Sequence, residues 1–319
     1  MNTPSRAGQA AVLFSEVAEQ WLGWKRTTLK NSSLARYNSI LYLYLLPAFG
    51  CTPISDLSRQ DAARFAQELL GNRSTGAGGL SPASAAVILS VLKNIIQFTG
   101  QILGLSVADL HGITVKQPSR PLRVFTRSEQ QRLSRYLLMR RDPTSVGIVL
   151  ALYTGLRAGE LCALRWEDVS LEERSLFVRH TMQRLPASEG KQKTAVVITP
   201  PKSPSSMRMI PLPDVITAPL KEIRERDACF VLSGTESYIE PRCLENRFKS
   251  ALRACGIAAA GFHICRHSFA TRCIELGFDV KSLSEILGHA SVNITMNRYV
   301  HPSMEFKRKN MEKLSELMK

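Results

Sequence analysis

Cysteine pairs at metal-binding or disulfide spacing are missing from this 319-residue chain. Its seven cysteines, Cys51, Cys162, Cys229, Cys243, Cys255, Cys265 and Cys273, are odd in number and scattered without a CxxC pair. Neither a disulfide framework nor a zinc cage is therefore expected. Reduced thiols in a cytoplasmic protein are the simplest expectation. No apolar run approaches the roughly 20 residues of a membrane-spanning helix, so no membrane partner is expected. Residues 1–10 hold no apolar h-region, so no secretory signal is expected. Internal repeats, low-complexity segments and a long polybasic tract are absent as well. With 44% hydrophobic and 22% charged residues, the composition excludes a disordered chain.

What the chain has is length and positive charge. Its length suits two domains of ordinary size, each able to bury a core. Forty-two basic side chains against 27 acidic ones leave a net charge of +15. Residues 1–120 carry 11 basic and 6 acidic side chains, and residues 121–319 carry 31 and 21. The excess thus belongs to folded surface in both halves. Distributed positive charge suits a polyanionic partner, most simply nucleic acid.

The first half reads as helices only. Phe14, Val17, Trp21 and Trp24 fall at helical spacing over 12–24. Asn31, Ser32 and Ser33 offer caps for a second helix through Leu46, ended by Pro47 and Gly50. Ser58 can cap a third over 60–70. Ser81-Pro82 opens a long helix to about Leu103, with proline in the first turn. Residues 1–111 thus form an all-helical domain. A basic linker over 112–125 follows, carrying Lys116, Arg120 and Arg123. Thr126 and Glu129 form a capping box that opens a second domain over 126–319. Helices are predicted there at 127–140, 143–154, 213–225, 241–255, 262–276, 280–287, 291–298 and 303–318. Strands at 175–183, 194–199 and 207–212 predict one small antiparallel sheet, with turns at 184–192 and 200–206. The fold class is mainly α with a small antiparallel β-sheet.

Four segments can carry chemistry. Residues 154–161 read Thr-Gly-Leu-Arg-Ala-Gly-Glu-Leu and put Arg157 where a helix begins. Free N–H groups beside a guanidinium suit a phosphate. Residues 261–271 place His263 and Arg266 three apart on one helical face. His267 follows, and reads as a structural histidine at the domain core. Residues 287–301 carry Gly288-His289 and, ten residues on, Tyr299. Residues 199–208 put Lys202 on a strand-to-strand turn, with Arg208 close enough to contact a DNA backbone.

Taken singly, each of these residues has an ordinary explanation in packing or solvation. Their order changes that. Arg157, Lys202 on a turn, His263-x-x-Arg266, Gly288-His289 and then Tyr299 resembles the tyrosine recombinases, the phage-integrase family. The resemblance runs over Thr154–Leu161, Lys202–Pro211, His263–Thr271 and Leu287–His301. It extends to Ser33–Gly50 and Ile54–Phe65, similar to the family's SAM-like core-binding domain. The resemblance implies a site-specific DNA strand transferase that works through a 3′-phosphotyrosyl intermediate and uses no cofactor, metal or ATP. It assigns Tyr299 as nucleophile and His263 as its general base. Arg157 and Arg266 would hold the non-bridging oxygens, and His289 would hydrogen-bond the phosphate. Lys202 would protonate the leaving 5′-oxygen, with Lys191 and Lys193 as competitors for that role. Glu160 and His267 would support the site. The implied partners are double-stranded DNA, a homo-tetramer on paired DNA sites (monomer or dimer when free), and accessory DNA-bending proteins. The expected location is cytoplasmic, with the nucleoid when DNA-bound.

The core-binding helices are expected to begin by about residue 12, so the arm-type binding domain of many phage integrases is not expected. A final helix at 303–318 can dock on its own domain or on a neighbouring protomer. Two other functions remain open: type IB topoisomerase-like relaxation, and a DNA-binding protein that has lost catalysis. Site-independent relaxation would mark the first, and site-specific binding without a covalent adduct the second.

Overall fold

The computed structural model describes residues 11–71, 79–118, 122–186, 194–201 and 203–300, with single positions at 308, 311, 312 and 315. The chain forms two compact units, 1–120 and 121–319.

The first unit is helical, as the sequence predicts. Helix α1 (Phe14–Arg26) buries Phe14, Val17 and Trp21. Helix α2 (Asn31–Ile40) does not stop at Pro47. It runs through a π-helical turn (Leu41–Leu45) into α3 (Leu46–Phe49). Pro47 has no N–H for the Leu43 carbonyl, and the helix widens just before it: the Leu46 N–H reaches back to Leu41 O. Of the two expected stops, Pro47 is thus corrected and Gly50 holds: its N–H bonds Leu46 O at 2.9 Å.

Helix α4 (Arg59–Gly71) opens on Ser58, whose Oγ accepts from Asp61 N at 3.2 Å. Helix α5 (Pro82–Gln101) opens on Ser81, whose Oγ accepts from Ser84 N at 3.2 Å. Against the sequence expectation, α5 is long and apolar enough to cross a membrane by length and composition. In this fold it is a core helix: Ile88, Leu92 and Ile95 pack with Trp21, Leu41 and Leu45.

The second unit opens on the anticipated capping box. Thr126 N donates to Glu129 Oε2 at 2.8 Å, and Glu129 N donates to Thr126 Oγ1 at 3.1 Å. Residues just before it are docked on this unit: Arg123 donates to the carbonyls of Ala258 and Ala259, and Phe125 N to Ser268 Oγ. Helices α6 (Arg127–Arg140), α7 (Pro143–Thr154) and α8 (Ala158–Ala163) follow. Helices α9 (Asp214–Glu222), α10 (Pro241–Ala254), α11 (Ile264–Glu275), α12 (Val280–Leu287) and α13 (Val292–Tyr299) complete the described order. Most of the expected helix 303–318 lies outside the described residues.

The single predicted sheet is corrected to two. Strands β1 (Val169–Ser170), β2 (Ser175–Val178) and β5 (Arg208–Pro211) form one antiparallel sheet in the order β1-β2-β5. Strands β3 (Thr181–Pro186) and β4 (Thr194–Thr199) form a separate hairpin. The predicted strand 175–183 breaks at Arg179-His180, where Arg179 Nε turns to the buried Asp168 carboxylate at 2.6 Å. Strand β3 then runs on into the region expected as a turn. A large core around Trp166, Phe125, Phe248 and Leu133 holds the unit together.

Candidate active site

The site grows from two helix ends that need glycine. Gly155 caps α7 with φ of +69°. A Cβ there would sit 2.6 Å from Phe269 and 2.9 Å from Leu287. Gly288 caps α12 with φ of +64°, and a Cβ would sit 2.9 Å from the Arg208 side chain. Both are left-handed positions where only glycine lets the neighbours close in.

Arg266 joins these two ends. It lies on α11 and is 1% exposed. Its Nη1 donates to Gly155 O at 2.9 Å and its Nη2 to Leu287 O at 2.6 Å. One guanidinium thus satisfies carbonyls left over at two helix C-termini and fixes α7 and α12 about α11. Burial and the nearby Arg157 push its pKa down to about 9, still cationic at neutral pH.

Arg157 holds the cap position of α8. Its backbone N–H donates to Glu160 Oε2 at 3.0 Å and its Nη1 to Glu160 Oε1 at 2.6 Å. Glu160 is buried. Burial alone would raise its pKa, but the hydrogen bonds and charge of Arg208, with the charge of Arg157, hold it below the ordinary carboxylate value.

Arg208 is a correction to the sequence reading. It does not face outward to a DNA backbone; it is 7% exposed. Its Nη2 and Nη1 grip Glu160 at 2.9 and 3.1 Å, Nε donates to Ile286 O at 2.5 Å, and Nη1 also reaches Ser206 O at 3.0 Å. It therefore ties together α8, α12 and the turn at Ser206. The alternation of β5 held the signal: Arg208 and Ile210 share its buried face, while Met209 is 60% exposed. An arginine on a buried strand face calls for a buried carboxylate, and Glu160 is that group.

The histidines and the tyrosine close the site. His263 sits in the cap position of α11, not inside the helix, and keeps an open face to solvent. Partial burial, with Arg266, Arg298 and Arg157 close by, lowers its pKa. The His267 ring meets the His263 ring edge-on at 4.4 Å. His289 Nδ1 pairs with Thr295 Oγ1 at 2.7 Å, and its ring lies parallel to that of Tyr299 with centroids 6.4 Å apart. Burial first, then Arg266 and Arg157, push His289 down to about 4.

Tyr299 ends α13 and packs with Ala270, Cys273, Leu283 and Leu287. Its hydroxyl pairs with His267 Nδ1 at 2.9 Å. Burial raises its pKa, opposed by Arg266, Arg298 and Arg157. Of the predicted residues, Arg157, Glu160, His263, Arg266, His267, His289 and Tyr299 are thus brought together. Lys202 lies outside the described residues, as do Lys191 and Lys193. Near Lys202, Pro204–Ser206 form a single 3₁₀ turn, anchored by the Arg208 bond to Ser206.

A cluster of guanidiniums and imidazoles around a buried phenol has the charge and donors that suit an anionic ester. Comparison with known proteins gives the same class. Residues 124–305 match the Phage integrase family and residues 13–70 the Phage integrase N-terminal SAM-like domain. Among curated relatives, a "Tyrosine recombinase XerC-like" of Caldanaerobacter subterraneus subsp. tengcongensis is 31% identical over 188 residues, 53% of this chain. The match spans about half of that relative's own length, 48%. Tyrosine recombinase XerA of Pyrococcus furiosus is 28% identical over 290 residues, 89% of this chain and 88% of that one. Among solved structures, the Tn1549 transposon integrase in complex with transposon right end DNA shares the fold with a TM-score of 0.76 at 19% identity, covering 95% of this chain and 100% of that one. A lambda integrase from a tetramer bound to a Holliday junction gives 0.64 at 16% identity, covering 93% and 80%. The chain belongs to the phage integrase family and is a tyrosine-type site-specific recombinase.

Proposed function

We propose that this protein cleaves and rejoins DNA strands at specific sites through a phosphotyrosyl bond on Tyr299, with its own side chains supplying the positive charge. The observation that carries the reading is the placement of the Tyr299 hydroxyl within a shell of Arg266, Arg157, His267 and His289. A phenol is mostly protonated at neutral pH and needs a base before it can attack phosphorus. The His263–His267 pair stands beside it. Arg157 and Arg266 stabilise the charge that grows on the non-bridging oxygens in the pentacoordinate transition state. His289 donates to the same phosphate. Lys202 protonates the departing 5′-oxygen. The phosphotyrosyl ester keeps the energy of the broken bond, so an incoming 5′-hydroxyl reverses the step without ATP.

Duplex DNA is the substrate, and the +15 charge makes affinity steeply salt-dependent. Strand exchange between two sites calls for a tetramer on DNA, a reading supported by the lambda integrase tetramer that shares this fold. Tyr299→Phe tests the assignment: it should bind a cognate duplex as the wild type does and form no covalent complex. An adduct surviving in that variant would remove Tyr299 as nucleophile.

A further inference from the structure

The family pattern places the base for Tyr299 at His263, but the tyrosine hydroxyl meets a different imidazole. His267 Nδ1 lies 2.9 Å from Tyr299 Oη. Both groups are nearly closed to solvent, at 8% and 6% exposure. His263, by contrast, keeps an open face on the solvent side, edge-on to the His267 ring. Resting on the phosphotyrosyl reading above, we propose that His267 is a catalytic residue: Nδ1 takes the Tyr299 proton during attack and returns it during rejoining.

The proton balance is direct. With its ring proton on Nε2, neutral His267 accepts the phenol O–H at Nδ1. As the Tyr299 oxygen bonds to phosphorus, the O–H bond breaks and the proton moves to Nδ1. The P–O5′ bond breaks, and the 5′-oxygen takes a proton from Lys202. In rejoining, the 5′-hydroxyl attacks and gives its proton back to Lys202, the P–O bond to tyrosine breaks, and the tyrosine oxygen recovers its proton from Nδ1. Arg266 acts on the same tyrosine oxygen and stabilises its developing negative charge.

The surroundings keep His267 in the state the step requires. The charged and titratable groups acting on it are His263, Arg298 and Arg266, besides Tyr299 itself. Burial, then these neighbours, hold its pKa down to about 4, so the ring is neutral and able to accept at pH 7. A bound phosphodiester brings a negative charge that offsets the arginines and strengthens the base as the phenol becomes acidic along the reaction path. His263 is then left on the open face, able to contact the phosphate or pass the proton outward.

The test separates a base from a mere hydrogen-bond partner. Asparagine places its Oδ1 near the position of Nδ1, so His267→Asn can accept the Tyr299 bond but cannot be protonated. Single-turnover adduct formation is measured on a nicked suicide duplex and on the same duplex with a bridging sulfur at the 5′-leaving atom. His267→Asn should keep DNA affinity and lose about 10²–10⁴-fold in adduct rate, the usual share of general base catalysis. The loss should persist on the sulfur substrate, whose leaving group needs no acid. It should shrink when 3-fluorotyrosine, a more acidic phenol, replaces Tyr299.

Wild-type rates in His267→Asn would overturn the proposal, as would a loss abolished by the sulfur substrate. If His267→Asn does not bind DNA, His267→Gln is judged by the same criteria. If neither variant binds DNA, His267 is a structural residue and the proposal fails. An absent wild-type adduct on a bound duplex would instead overturn the phosphotyrosyl reading itself.

Discussion

Arg208 is the residue on which the arginine–glutamate pair depends. Glu160 can be ionised in the interior only because two guanidiniums share it, Arg208 from within and Arg157 from the site side. Arg157 is thereby aimed by a carboxylate that Arg208 holds still. Replacing Arg208 by methionine removes the inner partner and leaves a buried charge half-paired, a loss on the order of 3 kcal/mol. Thermal melting should show that loss. Arg208→Lys should recover only part of it, because an ammonium cannot grip both carboxylate oxygens and Ile286 O together. Full stability in Arg208→Met would contradict the buried-pair account.

Two shielded histidines, one buried and one partly buried, give the protein a pH signature. His267 and His289 have folded pKa values of about 4, below the ordinary 6.5. A base depressed in the fold takes up its proton first in the unfolded chain. Stability is therefore full above about pH 6.5 and falls as pH drops from there toward 4. Melting temperatures should decline across that window, and His267→Asn should flatten the decline. A melting temperature that holds or rises toward pH 4.5 would contradict the neutral, shielded imidazoles.

At the scale of elements, two helix termini set the spacing of the site. Gly155 and Gly288 end α7 and α12 in left-handed turns, and Arg266 binds the carbonyls there. Gly155→Ala should cost more than about 1 kcal/mol from the backbone conformation alone, with the Phe269 and Leu287 overlap added. Denaturant melts would show it; a neutral result would mean that the turn can relax.

The start signals of these elements were legible in the sequence because caps act locally. Thr126–Glu129 and Ser81-Pro82 begin their helices as read. The π-helical turn before Pro47 was not legible. A proline ordinarily ends a helix, and its survival here depends on widening the preceding turn. The break in 175–183 was hidden for another reason. No turn residue marks Arg179-His180, and Arg179 pairs there with the buried Asp168, eleven residues earlier.

At the scale of the whole molecule, the site joins segments more than a hundred residues apart. That Arg157, His263, Arg266, His289 and Tyr299 come together could be read from residue types and their order, through resemblance to a family. Which histidine meets the tyrosine could not. His263 and His267 both lie one turn apart at the start of α11, and only the packing of α13 against α11 and α12 decides that His267 receives the hydroxyl. The burial of Arg208 was legible in principle from the alternation of β5, but its partner Glu160 is 48 residues away.

The central claim is that Tyr299 becomes covalently joined to DNA. The most direct measurement is a suicide assay on nicked duplexes drawn from the DNA flanking the gene, run in EDTA. Adducts are resolved on denaturing gels and the modified residue is mapped by mass spectrometry. The account predicts a metal-independent adduct on Tyr299 with a free 5′-hydroxyl on the released strand. Tight, site-specific binding of a flanking duplex with no adduct, or an adduct on another residue, would contradict it.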